Sequence, residues 1–497
     1  MPVCAFIVGA AVMAVEITAS RLLAPYFGTS IFVWTSLIVT VLLAMSLGYW
    51  LGGLVAEKNG GKRALGILLC SSAAVMLVGT FSLGLFAHSL SWLVNKWSVA
   101  SATLFFGSLL SSFVVFALPV MLAAAASPII IKEWLRDGGD SGRVSARYLV
   151  VSTFGSVVGT IAPTLLLVPT IGTKRTVALF AVAMFLMGLS MFAGKKRGLF
   201  VVLFLPTLGL SLLDVRPASP DILAQKESPY QLISVAEREG ERLLYFNEGT
   251  GVQTIYRPGG GRTDFYFDYF SILPFIKPRQ REQKVLMLGV AGGSLIRSYQ
   301  ELLPADEHAD ITGVEIDPAV IEVGREYFDL DDLRMKIVNA DARVFISATP
   351  EKYDFIIIDA YSNQLYIPPH LITKEFFALA KSKLNPDGFL VMNVNAPDEE
   401  SRLLKATVNS VASSFPEVYV LPVAGDTWNH LIFAGDQAPD FRSAEAALPP
   451  SYGDVSLALK DAYRSQYDPK AEVFTDDLAP VEMLTDSMFI AQGLKRW

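Results

Sequence analysis

The chain has 497 residues, 52% of them hydrophobic, with 41 Lys+Arg against 48 Asp+Glu and a formal net charge of −7 at pH 7, a length that allows more than one domain. The charge is unevenly divided: residues 1–215 hold 14 basic and 6 acidic side chains, and residues 216–497 hold 27 and 42. A basic, apolar first part ahead of an acidic, mixed second part excludes a nucleic-acid binder and points to a membrane domain joined to a catalytic or binding domain. Cys4 and Cys70, the only cysteines, both lie in apolar runs, so neither a disulfide framework nor a Cys-based metal site is expected, and no metal is assigned.

The apolar run from Pro2 to Val15 has no basic residue before it, and Glu16 stands where a cleavage site would need small residues, which reads as a retained membrane segment and not as a signal peptide. Spanning helices of about 20 apolar residues are expected at 3–24, 32–55, 64–86, 102–131, 148–170, 174–193 and 198–213, seven in all, with the first and last the weakest. With the N-terminus inside, ten basic residues face inward, among them Lys58, Lys62, Arg63, Lys132, Arg136 and Lys195, against Arg21, Lys96, Lys174 and Arg175 outward. The positive-inside rule therefore favours an inside N-terminus, yet seven spans would then put the acidic part outside; the 16-residue run 198–213 is the first suspect for not crossing. Glu16 and Arg21 fall within the first span and read either as a helix-locking, snorkelling pair or as a functional pair. Pro119, Pro128 and Pro163, with "GSVVG" at 155–159, predict kinks and close helix packing.

Past a Pro-containing linker near 216–220, short alternating stretches broken by Gly and Asn predict a small antiparallel β element at roughly 229–257. From 284 apolar strand-like runs (284–289, 311–315, 335–339, 354–358, 388–393) alternate with helical stretches (294–303, 318–327, 373–384, 399–414). That alternation predicts a doubly wound, mostly parallel sheet. The domains expected are a transmembrane helical domain over 1–215, a linker with a small β-strand element over 216–280, and a nucleoside-binding catalytic domain over 281–497.

Ligands of such sheets bind past the carboxyl ends of the strands. Those positions hold the glycine loop at 289–294 ("GVAGGS"), Glu315, Asp341 and Asp359. Gly289, Gly292 and Gly293 let the backbone come close to a ligand and turn into a helix; Glu315 has the reach for both hydroxyls of a ribose; Asp341, followed by Ala342, is placed for an adenine amino group; Asp359 faces the reacting centre. The loop lacks the third glycine of G-x-G-x-x-G, so an S-adenosyl ligand is expected over a dinucleotide, with no pyrophosphate to cradle.

The run from "SPYQ" through "VEID", "ADAR", "YDFIIIDA" and "LNPDGFLVMNV", roughly 228–395, resembles the spermidine synthase (polyamine aminopropyltransferase) family. With the apolar front, and "EITASRLLAPYFG" and "TDDLAPVE" near its ends, the whole chain resembles the membrane-fused spermidine-synthase-like proteins. The resemblance implies a multi-pass α-helical membrane domain followed by a small β element and an α/β doubly wound Rossmann-like domain of the class I S-adenosylmethionine-dependent methyltransferase type. It implies a transferase of polyamine biosynthesis using decarboxylated S-adenosylmethionine as donor and an amine or polyamine as acceptor. Asp359 would then be the proton acceptor, Gln231 of "YQ" would touch the donor, and Tyr266, eight residues before Pro274, would bind the amine.

Two departures from the family pattern bear on substrate. The family's loop reads Gly-Gly-Gly-Asp-Gly-Gly, so Gly292 stands where an aspartate would meet the donor's amino end, which leaves intact S-adenosylmethionine open as donor. The family's Asp-Ser-Ser-Asp-Pro becomes "DAYSNQ": Asp359 remains, the second acid is lost, and Tyr361, Asn363 and Gln364 make a more neutral pocket. An amphiphilic or lipid-linked amine is therefore expected over free putrescine. Asp476 and Asp477 of "FTDDLAP" either cap local structure or replace the lost amine-gripping carboxylates, and His370 is a loop residue or a second base. The expected setting is the cell membrane, with the bilayer as partner, a cytoplasmic catalytic domain, and a homodimer allowed. Methyl transfer from S-adenosylmethionine, or a polyamine transporter or sensor with a degenerate synthase domain, are the alternatives.

Overall fold

The computed structural model describes the chain apart from residues 28–30, 59–60, 96–106, 137, 139, 193–195, 212–220, 248–250, 279–281, 305, 363–365, 426–427 and 496–497. Lys96, Lys195, Asn363, Gln364 and the linker near 216–220 thus lie outside the described residues. The chain divides into two compact units: Met1–Ser219 with Glu227–Gln231, and Pro220–Lys226 with Leu232–Trp497.

The first unit is helical. Among the described residues six helices are long and apolar enough to cross a membrane: α1 (Pro2–Ala24), α2 (Val33–Glu57), α3 (Lys62–Leu83), α4 (Gly107–Arg136), α5 (Ser141–Ile171) and α6 (Thr173–Ser190). The seventh segment, expected at 198–213, is the shorter apolar helix α7 (Phe200–Ser211), below the length a hydrocarbon core requires.

Close packing rests on glycine. A Cβ on Gly155 or Gly159 of α5 would run into the carbonyl oxygens of Phe6 and Ala10 of α1, and one on Gly48 or Gly52 of α2 would meet those of Met121 and Ala125 of α4. The predicted close packing at "GSVVG" is thus an α1–α5 contact. Two helices contain a wider π-turn, Phe113–Ala117 in α4 and Pro163–Leu167 in α5, the second beginning at a proline. Faces turned away from the core stay apolar: Leu149, Val150, Phe154 and Ile161 of α5 are all exposed. Near the other end of α1, Arg21 donates to the carbonyls of Ser228 (2.6 Å) and Pro229, and the N-terminus of α6 is held by Glu227, which accepts from Thr173 N at 2.9 Å and Thr173 Oγ1 at 2.5 Å.

The second unit has two sheets. The small one runs β1 (Ile222–Glu227), β2 (Leu232–Arg238), β3 (Glu241–Phe246) and β4 (Val252–Tyr256) in sequence order, antiparallel from β2 to β4. The large one contains β5 (Glu282–Leu288), β6 (His308–Glu315), β7 (Met335–Asn339), β8 (Tyr353–Ile358), β9 (Leu384–Asn395), β10 (Glu417–Pro422), β11 (Asn429–Gly435) and β12 (Tyr463–Ser465). Its order is β12-β10-β11-β9-β8-β5-β6-β7. β9, β8, β5, β6 and β7 are parallel, whereas β11, β10 and β12 extend the edge in antiparallel fashion. This is the expected doubly wound fold, with each of its five parallel strands continuing into a helix: α8 (Ser294–Glu301), α9 (Pro318–Tyr327), α10 (Ala342–Ala348), α11 (Lys374–Ser382) and α12 (Arg402–Ala412) follow β5, β6, β7, β8 and β9. β8 is buried at every position, because both faces of a central parallel strand are covered. The strand order reverses between β5 and β8, so the crevice past their carboxyl ends is where a ligand is held in such a sheet.

Candidate active site

The glycine loop leaves β5 at this reversal. Gly289 has φ +91° and Gly293 φ +88°, a region open to glycine and strained for other residues. A Cβ on Gly289 would strike the carbonyl of Asp359. Gly292 approaches Thr254, whose Oγ1 would lie 2.9 Å from a Cβ there, and Gly293 approaches Leu330 and Leu333. A Cβ at any of the three glycines would therefore meet the protein itself.

The loop's N–H groups are likewise taken. Glu315 Oε2 accepts from Val290 N (3.1 Å) and Ala291 N (3.2 Å), Thr254 Oγ1 from Gly292 N (2.8 Å), and Val290 O from Gly293 N (2.9 Å). Ser294, the first residue of α8, exchanges hydrogen bonds with Ile255 N (3.0 Å) and Ile255 O (2.8 Å), so β4 is stitched over the loop. An anion-binding turn presents free N–H groups, whereas those of Val290 to Gly293 are already bonded within the protein.

Glu315 is 8% exposed, and its second oxygen accepts from Asp317 N at 3.1 Å. Burial pushes its carboxyl upward, against three backbone N–H donors that favour the charged form. Oε2 thus has both lone pairs taken and Oε1 keeps one, which a ribose hydroxyl can meet as a donor. Asp341 caps α10 through Val344 N (2.9 Å), which places Ala342 in its first turn, and Asp341 Oδ2 lies 3.2 Å from His370 Nε2. His370 is thus an exposed neighbour of Asp341.

Asp359 follows β8. Its Oδ2 accepts from the Tyr266 hydroxyl at 2.9 Å and its Oδ1 from Asn393 Nδ2 at 2.9 Å. Burial pushes its carboxyl up to about 6, and the two hydrogen bonds oppose that rise without cancelling it. Tyr266 opens a 3₁₀ stretch, Tyr266–Phe275, that is buried from Tyr266 through Pro274. The Tyr361 hydroxyl donates to Asn393 O (2.9 Å) and accepts from Asn395 N (3.2 Å). Burial, followed by the Asp359 charge, drives both tyrosines well above the ordinary phenol range, so they act as hydroxyl donors and not as phenolates.

Asn393 forms the link that sequence reading missed. Asn429 Nδ2 donates to Asn393 Oδ1 (3.0 Å) and to Asn395 Oδ1 (2.9 Å), and Asn429 pairs with Asn395 across β9 and β11. That fixes which end of the Asn393 amide points at Asp359. The signal was available in "NVN" at the carboxyl end of β9, the same strand position that singled out the acids.

Asp476 does not join this cluster. Its two oxygens take both ends of the Arg343 guanidinium, at 2.7 and 2.6 Å, and Oδ1 also accepts from Thr373 Oγ1 at 2.6 Å; the Arg343 hydrogen bond holds its carboxyl below the usual range. Asp477 is exposed in the same turn. Their alternative role, capping local structure, is what the geometry supports. Gln231 belongs to the Glu227–Gln231 segment of the helical unit, where a tight turn is closed by Ser228 N to Gln231 O (2.9 Å) and Gln231 N to Ser228 Oγ (3.0 Å).

The spermine/spermidine synthase domain matches residues 273–438, which carry the glycine loop, Glu315, Asp341 and Asp359. A polyamine aminopropyltransferase of Vibrio vulnificus is 31% identical over 282 residues, 53% of this chain and 91% of that protein. The chain belongs to the polyamine aminopropyltransferase family, a family of transferases. A "probable polyamine aminopropyl transferase" of Bifidobacterium longum is 28% identical over 278 residues, and the chain spans only 61% of it. Polyamine aminopropyltransferase 2 of Ralstonia nicotianae is 24% identical over 503 residues, 92% of this chain and 90% of that protein, so likeness to this aminopropyltransferase extends through the helical unit.

Proposed function

We propose that the protein transfers an aminopropyl group from decarboxylated S-adenosylmethionine to an amine, with Asp359 as the base. The observation that carries this reading is the Tyr266–Asp359–Asn393 arrangement: a carboxylate whose proton affinity is raised to about 6, close enough to working pH to accept a proton from an attacking amine. In the reaction the amine nitrogen forms a bond to the carbon beside the sulfonium, the carbon–sulfur pair leaves with sulfur as methylthioadenosine, and the amine's proton passes to Asp359 Oδ. Tyr266 and Asn393 donate to the carboxylate and fix its remaining lone pairs toward the crevice. Glu315 is assigned to the ribose and Asp341 with Ala342 to the adenine, with Tyr266 and Tyr361 walling the acceptor side. Gln231 is assigned to the donor on the family resemblance alone.

The helical domain is assigned to the membrane, and residues 281–497 to the catalytic domain. Six spans with the N-terminus inside would return the chain to the inner side, so the basic-loop count and a cytoplasmic catalytic domain agree once α7 is not counted as a span. A membrane half fits an acceptor that is itself amphiphilic or lipid-linked. Full-length protein in lipid nanodiscs, given decarboxylated S-adenosylmethionine and a series of free and alkylated amines, tests this directly. Methylthioadenosine release that rises with acceptor chain length and falls at least about 100-fold in Asp359→Asn is expected; equal rates with free putrescine would remove the amphiphilic acceptor.

A second reading has one observation behind it. Thr254 presses on Gly292, the position of the family's donor-binding aspartate, so the donor's amino end has no carboxylate there. Intact S-adenosylmethionine and methyl transfer follow if the product is S-adenosylhomocysteine and not methylthioadenosine.

A further inference from the structure

The helical unit contains buried polar groups that the reaction does not use. Thr40 on α2 and Ser111 and Ser112 on α4 are each fully buried, and the hydroxyl oxygens of all three lack a hydrogen-bond partner among the described residues. The two helices run in the same direction. Ser36 Oγ accepts from Ser108 Oγ at 3.0 Å, and further along Gly48 meets Met121 and Gly52 meets Ala125. Thr40 is one turn beyond Ser36, so this register sets it opposite the turn that holds Ser111 and Ser112. On α3, Gly79 abuts Val115, which brings the buried Thr80 to the same level; its hydroxyl donates to Met76 O at 2.9 Å. The π-turn Phe113–Ala117 starts directly after Ser112, and such turns recur at functional sites because they disturb the regular ladder.

Open hydroxyls in an apolar seam are not what helix packing alone would keep, since hydroxyls that lock helices together do so by bonding across them. The spans themselves limit the ligand. From Val33 to Ala56, Leu65 to Leu83 and Gly107 to Ile131 the sequence has no Asp, Glu, Lys or Arg, so a full charge would find no counter-ion there. What remains is a small group that both donates and accepts hydrogen bonds. We propose that the α2–α4 seam at Thr40, Ser111 and Ser112 binds the uncharged amino group of an amphiphilic amine, with the hydrocarbon lying among the apolar side chains around it. This deepens the reading of the acceptor as an amphiphilic amine and rests on it for the choice of amine over alcohol.

The test is equilibrium dialysis of full-length protein in nanodiscs against radiolabelled n-butylamine at pH 10, where about a quarter of an alkylamine is uncharged, with empty nanodiscs subtracted. The variants are Thr40→Val and the double variant Ser111→Ala with Ser112→Ala. Expected are saturable binding by the unaltered protein, at least tenfold weaker binding by both variants, displacement by unlabelled n-butylamine and none by n-butyltrimethylammonium. Melting temperatures of the variants should equal or exceed that of the parent, because removing an unpaired buried hydroxyl strands no partner. Equal affinities, no binding above empty nanodiscs, displacement by the quaternary cation, or a lowered melting temperature in Thr40→Val would each overturn the site; the last would mean that the hydroxyl already serves the fold, directly or through water. Asp359→Asn measured in parallel separates the two readings: loss of transfer with butylamine binding intact leaves both standing, whereas an unaltered protein that binds butylamine in this hydroxyl-dependent way yet releases no methylthioadenosine sinks only the catalytic one.

Discussion

Two sets of buried polar groups, one in each unit, are treated in opposite ways. In the α/β unit Asp268, Asp354 and Asp359 are each held by side-chain or backbone donors, while in the helical unit Thr40, Ser111 and Ser112 are left open. The difference follows from cost. A buried carboxylate without donors is penalised far more than a buried hydroxyl, so a fold that keeps an acid inside must build its partners, and Asp359 is usable as a base because its partners leave part of that penalty in place. A hydroxyl can be left open at modest cost, and an open hydroxyl is free to meet something else.

Removing the charge at the centre of the closed network should have the largest effect. Asp359→Asn is expected to lower kcat for product release by about 100- to 10,000-fold, the usual reach of a general base. It should also stabilise the protein. Folding raises the carboxyl's pKa from its ordinary value to about 6, so the folded state holds this proton more tightly than the unfolded chain does. The contribution of Asp359 to stability is therefore complete below about pH 4 and is lost as pH rises through about 6. Asp359→Asn should accordingly gain on the order of 2 kcal/mol over the parent at pH 8 and little at pH 4, read from denaturant midpoints at the two pH values. A variant that loses stability equally at both would show that the carboxylate serves the fold.

Gly289→Ala acts on the same group through the backbone. The alanine would have to adopt φ near +91° and displace the Asp359 carbonyl, at a cost of about 2 kcal/mol or more. A lowered melting temperature together with a fall in kcat is expected; normal kcat in the folded fraction would mean that loop and base are not coupled. Tyr266→Phe removes one donor from the ionised carboxylate, so the pKa of Asp359 should rise further and the acid limb of kcat/KM should move to higher pH. A loss of about tenfold in kcat/KM near pH 7 corresponds to one such hydrogen bond. A lower rate with an unmoved limb would place Tyr266 on the substrate and not on Asp359.

Much of this was legible in the sequence where period and position act together. The alternation of strand and helix from 284 onward gave the parallel sheet, and reading the residue past each strand led to Glu315, Asp341 and Asp359. Two features escaped. The antiparallel edge escaped at β10 and β11, which follow each other with no helix between them, and the pairing of β11 to β9 is what brings Asn429 to Asn393. The partners of the loop glycines escaped because glycine spacing states that something comes close and not what: Thr254 and the Asp359 carbonyl are long-range contacts that no local pattern encodes. In the apolar half, length alone separated α7 from the six longer helices.

Asp476 is the case where position in the chain suggested one role and geometry supports another. Two adjacent acids before a proline fit an amine grip as well as a turn, and only the Arg343 fork distinguishes them. Asp476→Asn keeps the size of the side chain and removes the charge from a pair that is partly exposed on both sides, Arg343 at 25% and Asp476 at 45%. Water already screens such a pair, so the expected loss is about 1 kcal/mol or less, with kcat and the acceptor KM unchanged within about twofold. Because Arg343 holds the Asp476 carboxyl below its ordinary pKa, the stabilisation it gives is present above about pH 4 and fades as pH falls through the lowered value, so the parent and Asp476→Asn should converge in stability toward pH 3. A several-fold rise in acceptor KM at neutral pH would instead restore Asp476 to the amine, and would require the Arg343 pair to open when substrate binds.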